Sequence, residues 1–389
     1  MTKLSRCSKC VMPETAESLY FDEENVCSVC HQIGFKHEKV DWEKRRLDLA
    51  ELIKRHRGKY DYDCIVPFSG GKDSTFTLWY IVRELNLKPL VVRFDHGFLR
   101  PNVQDSSLRT FRRLGVDVLH FIPNWKVVRK LMFESLSRRG DFCWHCHTGI
   151  FSYPMWVAIQ QKIPLIFWGE PGAEYSSYYS YEDVEESNQE RFDRKINLGI
   201  NAEDMVGMLD DTISDYPVSA RDLKPYTYPP LAEIQKLGVE SVFLGSFLPW
   251  DVKSQVAIIE KELNWTRDEV EGVPPDYSYE KIECFMQGVR DYIKFLKRGF
   301  GRTAHLASID IRNGRLDRAT AEKLVEEYDG KRPAALDRFL QILGISEAEF
   351  MALIAKHVVS PHQFPDLEDV ERTSSEPSDF SALDAWINH

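Results

Sequence analysis

The stretch 63-DCIVPFSGGKDSTFTLWYIV-82 decides the fold. A short β-rich run is followed at once by two adjacent glycines and then by an apolar pattern of helical length, so it reads as strand, tight turn and helix. Gly70 and Gly71 permit positive φ and close backbone approach, and the amides of the helix's first turn point outward at an anion. Lys72 adds a positive charge, Asp73 a carboxylate, and Ser69, Ser74 and Thr75 hydroxyl groups. The P-loop pattern G-x-x-x-x-G-K-S/T requires four residues between its first glycine and the G-K pair. Here the glycines are neighbours, so the nest is of another kind.

Outward from this stretch, further β-rich runs stand at 89-PLVVRFDHG-97, 118-VLHFIP-123, 164-PLIFWGE-170 and 241-SVFLGSF-247, separated by segments of helix length. That alternation predicts an α/β fold, a parallel sheet with helices on both faces, over residues 41–260. In such sheets ligands bind beyond the carboxyl ends of the strands. Asp95, at the end of one run, and Gly169 and Glu170, at the end of another, therefore become candidates for ribose hydroxyls or Mg²⁺; an Asp at a strand end is also a common helix N-cap. Residues 174–230 interrupt the rhythm with 175-YSSYYSYEDVEESNQERFDRK-195 and several prolines, an insertion near that same edge or a solvated excursion.

Cys7, Cys10, Cys27 and Cys30 are spaced C-x2-C-x16-C-x2-C, which predicts a zinc ribbon over residues 1–40. Four thiolates close a tetrahedron with no open position, so the expected role is folding. The amphipathic segment 41-DWEKRRLDLAELIKRHRG-58, with Leu47, Leu49, Leu52 and Ile53 at helical spacing, is expected to tether the ribbon to the next domain. Residues 261–389 are expected to be mainly helical, with 281-KIECFMQGVRDYIKFLKRGFGR-302 the clearest amphipathic piece. The acidic, Ser-rich end 366–389 is expected to be loose apart from a short helix around Trp386.

A formal net charge of −11 over 389 residues argues against a chain that grips a nucleic-acid backbone, because such affinity rests on clustered Lys and Arg. The sequence has no uninterrupted apolar run of membrane-spanning length, and MTKLSRCSKC lacks the apolar core of a signal peptide. A cytoplasmic location without membrane insertion is expected. Cys143 and Cys146 lie in 141-DFCWHCHTGIF-151, which suits a second metal site, a redox pair or a pair of ordinary thiols, with Cys284 as a third ligand or a core residue.

S-G-G-K-D-S resembles the S-G-G-x-D-S loop of the PP-loop ATP pyrophosphatases, which share the adenine-nucleotide alpha-hydrolase-like fold and include GMP synthetase, NAD synthetase, asparagine synthetase and the tRNA thiolases. The resemblance implies cleavage of ATP between the α and β phosphates and transfer of AMP to a carbonyl oxygen. Ser69, Gly70, Gly71, Ser74 and Thr75 would cradle pyrophosphate, Lys72 would add charge, and Asp73 would help place Mg²⁺. Asp95, Gly169 and Glu170 fall where the superfamily contacts ATP. Within it, the order of "CSKCVMPET", "PFSGGKDS", "CWHCHTGIF" and "GEPGAEY" is similar to the N-acetyl sugar amidotransferase family of surface-polysaccharide biosynthesis, over nearly the whole chain.

That family resemblance implies that the acetamido oxygen of a nucleotide sugar is adenylated and that ammonia then displaces AMP to leave an acetamidino group. Arg191, Arg194 and Lys195 in the insertion are candidates for the sugar diphosphate of a UDP-sugar. None of the eight cysteines stands in a G-x-C-x-G elbow, so the resemblance implies a separate glutamine amidotransferase subunit of the histidine-biosynthesis type as the ammonia source. The alternative is a PP-loop tRNA thiolase, in which Cys143 and Cys146 would carry sulfur or an iron–sulfur cluster.

Overall fold

In the computed structural model, which describes residues 4–209, 216–366, 370–373 and 380–381, five parallel strands form one sheet in the order β3-β2-β1-β4-β5. They are β1 (Cys64–Pro67), β2 (Pro89–Phe94), β3 (Asp117–Phe121), β4 (Leu165–Trp168) and β5 (Glu240–Phe243). The order reverses beside β1, so the Gly-rich turn opens at the topological switch point, where a crevice forms between diverging connections. The expected α/β fold with a parallel sheet is what the chain adopts.

Side chains alternate between the faces as strand geometry requires. Cys64, Val66, Val91, Leu165 and Phe167 pack under α2 (Trp42–His56), α3 (Lys72–Arg83), α4 (Pro101–Leu114) and the later helix over Val252–Leu263. Ile65, Leu90, Val92, Ile166 and Trp168 pack under α6 (Trp144–Gln161) on the other face. The segment expected to be a tether is thus part of the sheet's cover: Leu49, Leu52 and Ile53 are buried on it, while Leu47 points to solvent. Both candidate runs at the sheet's ends form strands. The β3 edge is largely exposed, whereas the β5 edge is covered where Glu186 of the insertion bridges Val242.

The helices between the strands are α5 (Trp125–Arg139), α6, a single turn α7 (Gln189–Arg191), α8 (Ala202–Met208) and α9 (Leu231–Leu237); α1 (Ser28–Glu38) precedes them in the ribbon lobe, and α10 is Val252–Leu263. The C-terminal region is helical as expected: α11 (Gln287–Arg298), α12 (Arg302–Arg312), α13 (Arg318–Tyr328), α14 (Ala335–Leu343) and α15 (Glu347–Ala355). Helices α11, α14 and α15 share a core with α5, while α12 and α13 pack against the ribbon. The segment around Trp386 lies outside the described residues. No helix of the described residues is long and apolar enough to cross a membrane.

Gly149 in α6 lies against the ring of Phe94 at the end of β2, and a Cβ there would fall well inside van der Waals contact with it. Gly149→Ala is expected to destabilise the protein by about 1–3 kcal/mol, because the helix must move off the sheet or the buried ring must leave its rotamer. A denaturant titration with unchanged midpoint would refute this packing.

Candidate functional site

Gly70 has φ +94°, and a Cβ on it would stand 2.6 Å from Val103 Cγ1 and 2.9 Å from Ser107 Oγ. Both the backbone conformation and the pressure of α4 thus require glycine. The turn is held from behind by Trp265, whose Nε1 donates to Gly70 O at 3.1 Å. The amides of Ser69 and Gly70 both donate to Ser74 Oγ at 3.2 Å, and Gly71 N donates to Ser69 Oγ at 3.2 Å. These convergent donors at the N-terminus of α3 form a nest whose acceptors are neutral hydroxyls that an anion can replace. Thr75 is turned inward and buried, its hydroxyl without a partner.

Lys72 is buried and pairs with Asp73 Oδ2 at 2.7 Å and with Glu280 Oε2 at 2.8 Å. Burial works against its charge, yet Asp73, Glu280 and Glu170 together raise its pKa well above the ordinary lysine value. The reverse holds for Glu170, which burial and then the charge of Asp73 push up to about 8. Asp73 Oδ1 and Glu283 Oε2 are both buried without a hydrogen-bond partner. Glu283 faces the turn, its Oε2 standing 2.8 Å from where a Cβ on Gly71 would be. Three acidic groups, Asp73, Glu280 and Glu170, therefore surround one ammonium at the mouth of the nest, and Glu283 faces the adjoining Gly71. Such an excess of hard oxygen donors, one of them orphaned on Asp73, fits a Mg²⁺ ion arriving with phosphate.

Gly169 lets the end of β4 touch α3: a Cβ there would meet Asp73 O at 3.2 Å and Thr77 Oγ1 at 2.8 Å. The structure therefore brings Ser69, Gly71, Lys72, Asp73, Ser74, Gly169 and Glu170 to one cavity of about 1040 Å³. Asp95 lies apart from its lining. It is buried, accepts from Gly97 N at 2.7 Å and faces His120 Nε2 at 3.6 Å, so its oxygens hold the turn after β2.

Cys143, Cys146 and Cys284 line the same cavity. Burial first, and then Asp141, drive the Cys143 thiol up; burial lifts Cys284 to about 12 and depresses His147 to about 3. These groups are neutral thiols and a neutral imidazole in the protein by itself. Among the described residues, no group of three closely spaced ligand atoms includes Cys143 and Cys146.

The N-terminal cysteines do form such a group, with all four ligand atoms within 4.8 Å of one another. Cys7 and Cys30 sulfurs are 3.9 Å apart and those of Cys10 and Cys27 are 3.8 Å apart. A tetrahedral ion with metal–sulfur bonds of about 2.3 Å has edges of about 3.8 Å, so the spacing suits one such ion. The lobe is not remote from the cavity, for Met12, Ala16, Glu17 and Leu19 line it. It is anchored by Lys36, whose buried ammonium pairs with Glu174 and donates to Trp250 O at 2.8 Å.

Arg191, Arg194 and Lys195 also line the cavity, but each already has a partner. Arg191 pairs with Glu185 and lies over the rings of Tyr179 and Phe243 at 4.1 and 4.2 Å. Arg194 pairs with Glu190 at 2.9 Å, and Lys195 sits over the Tyr178 ring. Sequence reasoning missed Glu280, Glu283 and the cations of α11. Their local signal is the basic stripe Arg290, Lys294, Lys297, spaced by four and three on an amphipathic helix.

Residues 276–374 match the family described as "LPS biosynthesis protein WbpG-like, C-terminal domain". This bears out the surface-polysaccharide biosynthesis family to which the motif order pointed. An uncharacterized protein of Methanocaldococcus jannaschii is 26% identical over 140 residues, 35% of this chain and 48% of that protein. The chain thus spans about half the length of that curated relative. Among solved structures, NMN synthetase from Francisella tularensis is similar at TM-score 0.39 and 10% identity, over 75% of this chain and 93% of its own. The U34-tRNA thiolase NcsA from Methanococcus maripaludis, solved with its 4Fe-4S cluster, is similar at TM-score 0.29 and 14% identity, over 94% and 100%. Neither likeness bears on what this chain acts on.

Proposed function

We propose that this chain, a PP-loop enzyme with a WbpG-like C-terminal domain, is an ATP-dependent amidotransferase of lipopolysaccharide or O-antigen biosynthesis that turns the N-acetyl group of a UDP-sugar into an acetamidino group. The observation that supports it most is Lys72 caged by Asp73, Glu280 and Glu170 at the mouth of the nest, in a cavity large enough for more than a nucleotide. Ser69, Gly70, Gly71 and Ser74 hold the β and γ phosphates, while Thr75, turned inward, supports the first turn of α3. Lys72 stabilises charge as the α–β phosphate bond breaks, and Asp73 with its neighbouring carboxylates holds Mg²⁺, which spreads the phosphate charge when bound.

The acetamido oxygen attacks the α phosphorus and pyrophosphate leaves. Nitrogen no longer donates fully into a carbonyl, so the adenylated imidate carbon accepts ammonia; a proton is lost, and AMP departs with the oxygen. No step needs a nucleophilic side chain, which agrees with the protonated thiols of the buried Cys143 and the half-buried Cys146. Ammonia comes from a separate glutaminase of the histidine-biosynthesis type, the N-terminal four cysteines hold zinc, and the enzyme works in the cytoplasm.

With ATP, Mg²⁺, ammonium and a panel of UDP-N-acetyl sugars, the expected products are AMP, pyrophosphate and a sugar nucleotide in which NH has replaced oxygen, read by mass spectrometry. Glutamine should serve only when the partner is added. ADP and orthophosphate as first products, or glutamine use by the chain alone, would refute the respective parts. The thiolase reading has one observation in its favour, the three cysteines on the cavity wall. It requires a broad visible absorbance that disappears in Cys143→Ala together with thiolation of tRNA.

A further inference from the structure

The cavity has two ends of opposite electrostatic character. At the nest, Lys72 stands among Asp73, Glu170 and Glu280, with Glu283 against Gly71, so a triphosphate docks there with a divalent cation. From that end an alternating chain runs to α11: Lys72 to Glu280 at 2.8 Å, Glu280 to Arg302 at 3.6 Å, Arg302 to Asp291 at 3.0 Å. Its charges compensate one another. Beyond it, α11 turns Arg290, Lys294 and Lys297 into the cavity while Val289, Tyr292, Ile293 and Leu296 fill the core behind.

These three cations are poorly neutralised. Lys297 Nζ donates to the carbonyls of Arg139 and Gly140 at 3.0 Å, at the C-terminus of α5, and meets no carboxylate within ion-pair distance among the described residues. Lys294 has neither hydrogen bond nor ion pair among the described residues; its ammonium lies 4.2 Å from the centre of the Phe300 ring. Burial and the charge of Arg302 pull it down to about 8. Among the described residues, Arg290 has one carboxylate within ion-pair distance, Asp141, 3.8 Å away. Of the other nearby acids, Asp291 is taken by Arg302 and Gln287, and Glu17 by Arg298. Three cations facing one carboxylate leave two positive charges in a partly dehydrated cavity, in a chain whose net charge is −11.

We infer that Arg290, Lys294 and Lys297 form the subsite for the diphosphate of the acceptor, a nucleoside diphosphate sugar. The inference rests on the proposed reaction and assigns its second substrate to the end of the cavity opposite the nest. A diphosphate diester carries two negative charges, which match the two left uncompensated, and it needs no metal. The Glu280–Arg302–Asp291 chain keeps it separate from the metal-bound triphosphate. On this assignment Arg191 and Arg194, already paired with Glu185 and Glu190, do not hold the diphosphate, and Lys195, over the Tyr178 ring, belongs to the insertion and not to α11.

The test is calorimetric titration with UDP in buffer without added divalent metal, and separately with Mg²⁺ and a nonhydrolysable ATP analogue. Wild type should bind UDP, but not uridine, without Mg²⁺. Lys294→Ala and Lys294→Gln should each weaken UDP about 10-fold or more, as loss of a charge-assisted contact does. The analogue should be held within about twofold, since the sites are separate. UDP affinity unchanged in both folded variants, or an equal loss for the analogue, would overturn the inference. If AMP and pyrophosphate form while UDP binding ignores Lys294, the subsite fails and the reaction stands. If UDP binding depends on Lys294 but no sugar yields AMP, the reaction fails and the subsite stands.

Discussion

Cys7→Ser/Cys10→Ser is expected to lose one zinc ion per chain and to unfold the N-terminal lobe together with one wall of the cavity. A structural four-thiolate site contributes roughly 10–16 kcal/mol of apparent binding energy, comparable with the whole stability of a domain. Two sulfur pairs stand at the edge length of a tetrahedral site, all four sulfurs lie within 4.8 Å of one another, and the amides of Cys10 and Cys27 donate to Cys7 Sγ at 3.4 and 3.2 Å. Without the ion these groups are left facing one another in a buried knot. The damage should spread, because Arg318 donates to Cys7 O and Cys10 O, and Arg298 reaches Thr15 O at 2.6 Å and Glu17 at 2.8 Å. Activity should vanish with the fold of the lobe, not through loss of a chemical step. Metal analysis and limited proteolysis check this: equal zinc in wild type and variant, or an intact lobe in the variant, would be fatal to it.

What was legible from sequence was what is local in the chain. The β1–turn–α3 unit carries its own instructions, since Gly70, Gly71 and the helix that follows are contiguous, and strand periodicity marked each of the five strands. The ribbon was legible because metal geometry constrains Cys spacing. Its integration was not, because nothing near Lys36 announces Glu174 as its partner, and nothing near Cys10 announces Arg318. The carboxylates around Lys72 show the same limit. Asp73 is its neighbour in sequence, whereas Glu280 and Glu283 arrive from a loop some two hundred residues away, which only the packing of α11 and α12 brings to the nest. The three insertion cations stand out by composition, and composition carries no trace of Glu185, Glu190 and Tyr178, which engage them. Asp95 stands out by its position at a strand end, a position that ligands and turn residues share, and here it accepts from Gly97 N in the turn.

Asp73→Asn is expected to lower the rate of AMP and pyrophosphate formation by about 10²–10³-fold while leaving the fold intact. Asp73 uses Oδ2 to hold Lys72 at 2.7 Å and leaves Oδ1 buried without a partner, the arrangement of a carboxylate prepared for a cation. Asparagine keeps the volume and can still accept from Lys72, but it offers no charge to Mg²⁺. Lys72 retains Glu280 at 2.8 Å, so its ammonium stays paired and stability should change by no more than about 1 kcal/mol. The same substitution should raise the Mg²⁺ concentration needed for half-maximal rate, because removing one of the hard donors weakens the site without reshaping the nest. A variant with near-normal rate and unchanged Mg²⁺ dependence would show that the metal is held elsewhere, by Glu170, Glu280 or Glu283. A variant that is inactive because it is unfolded would show instead that the Lys72–Asp73 pair is structural, and a thermal melt beside the rate assay separates the two.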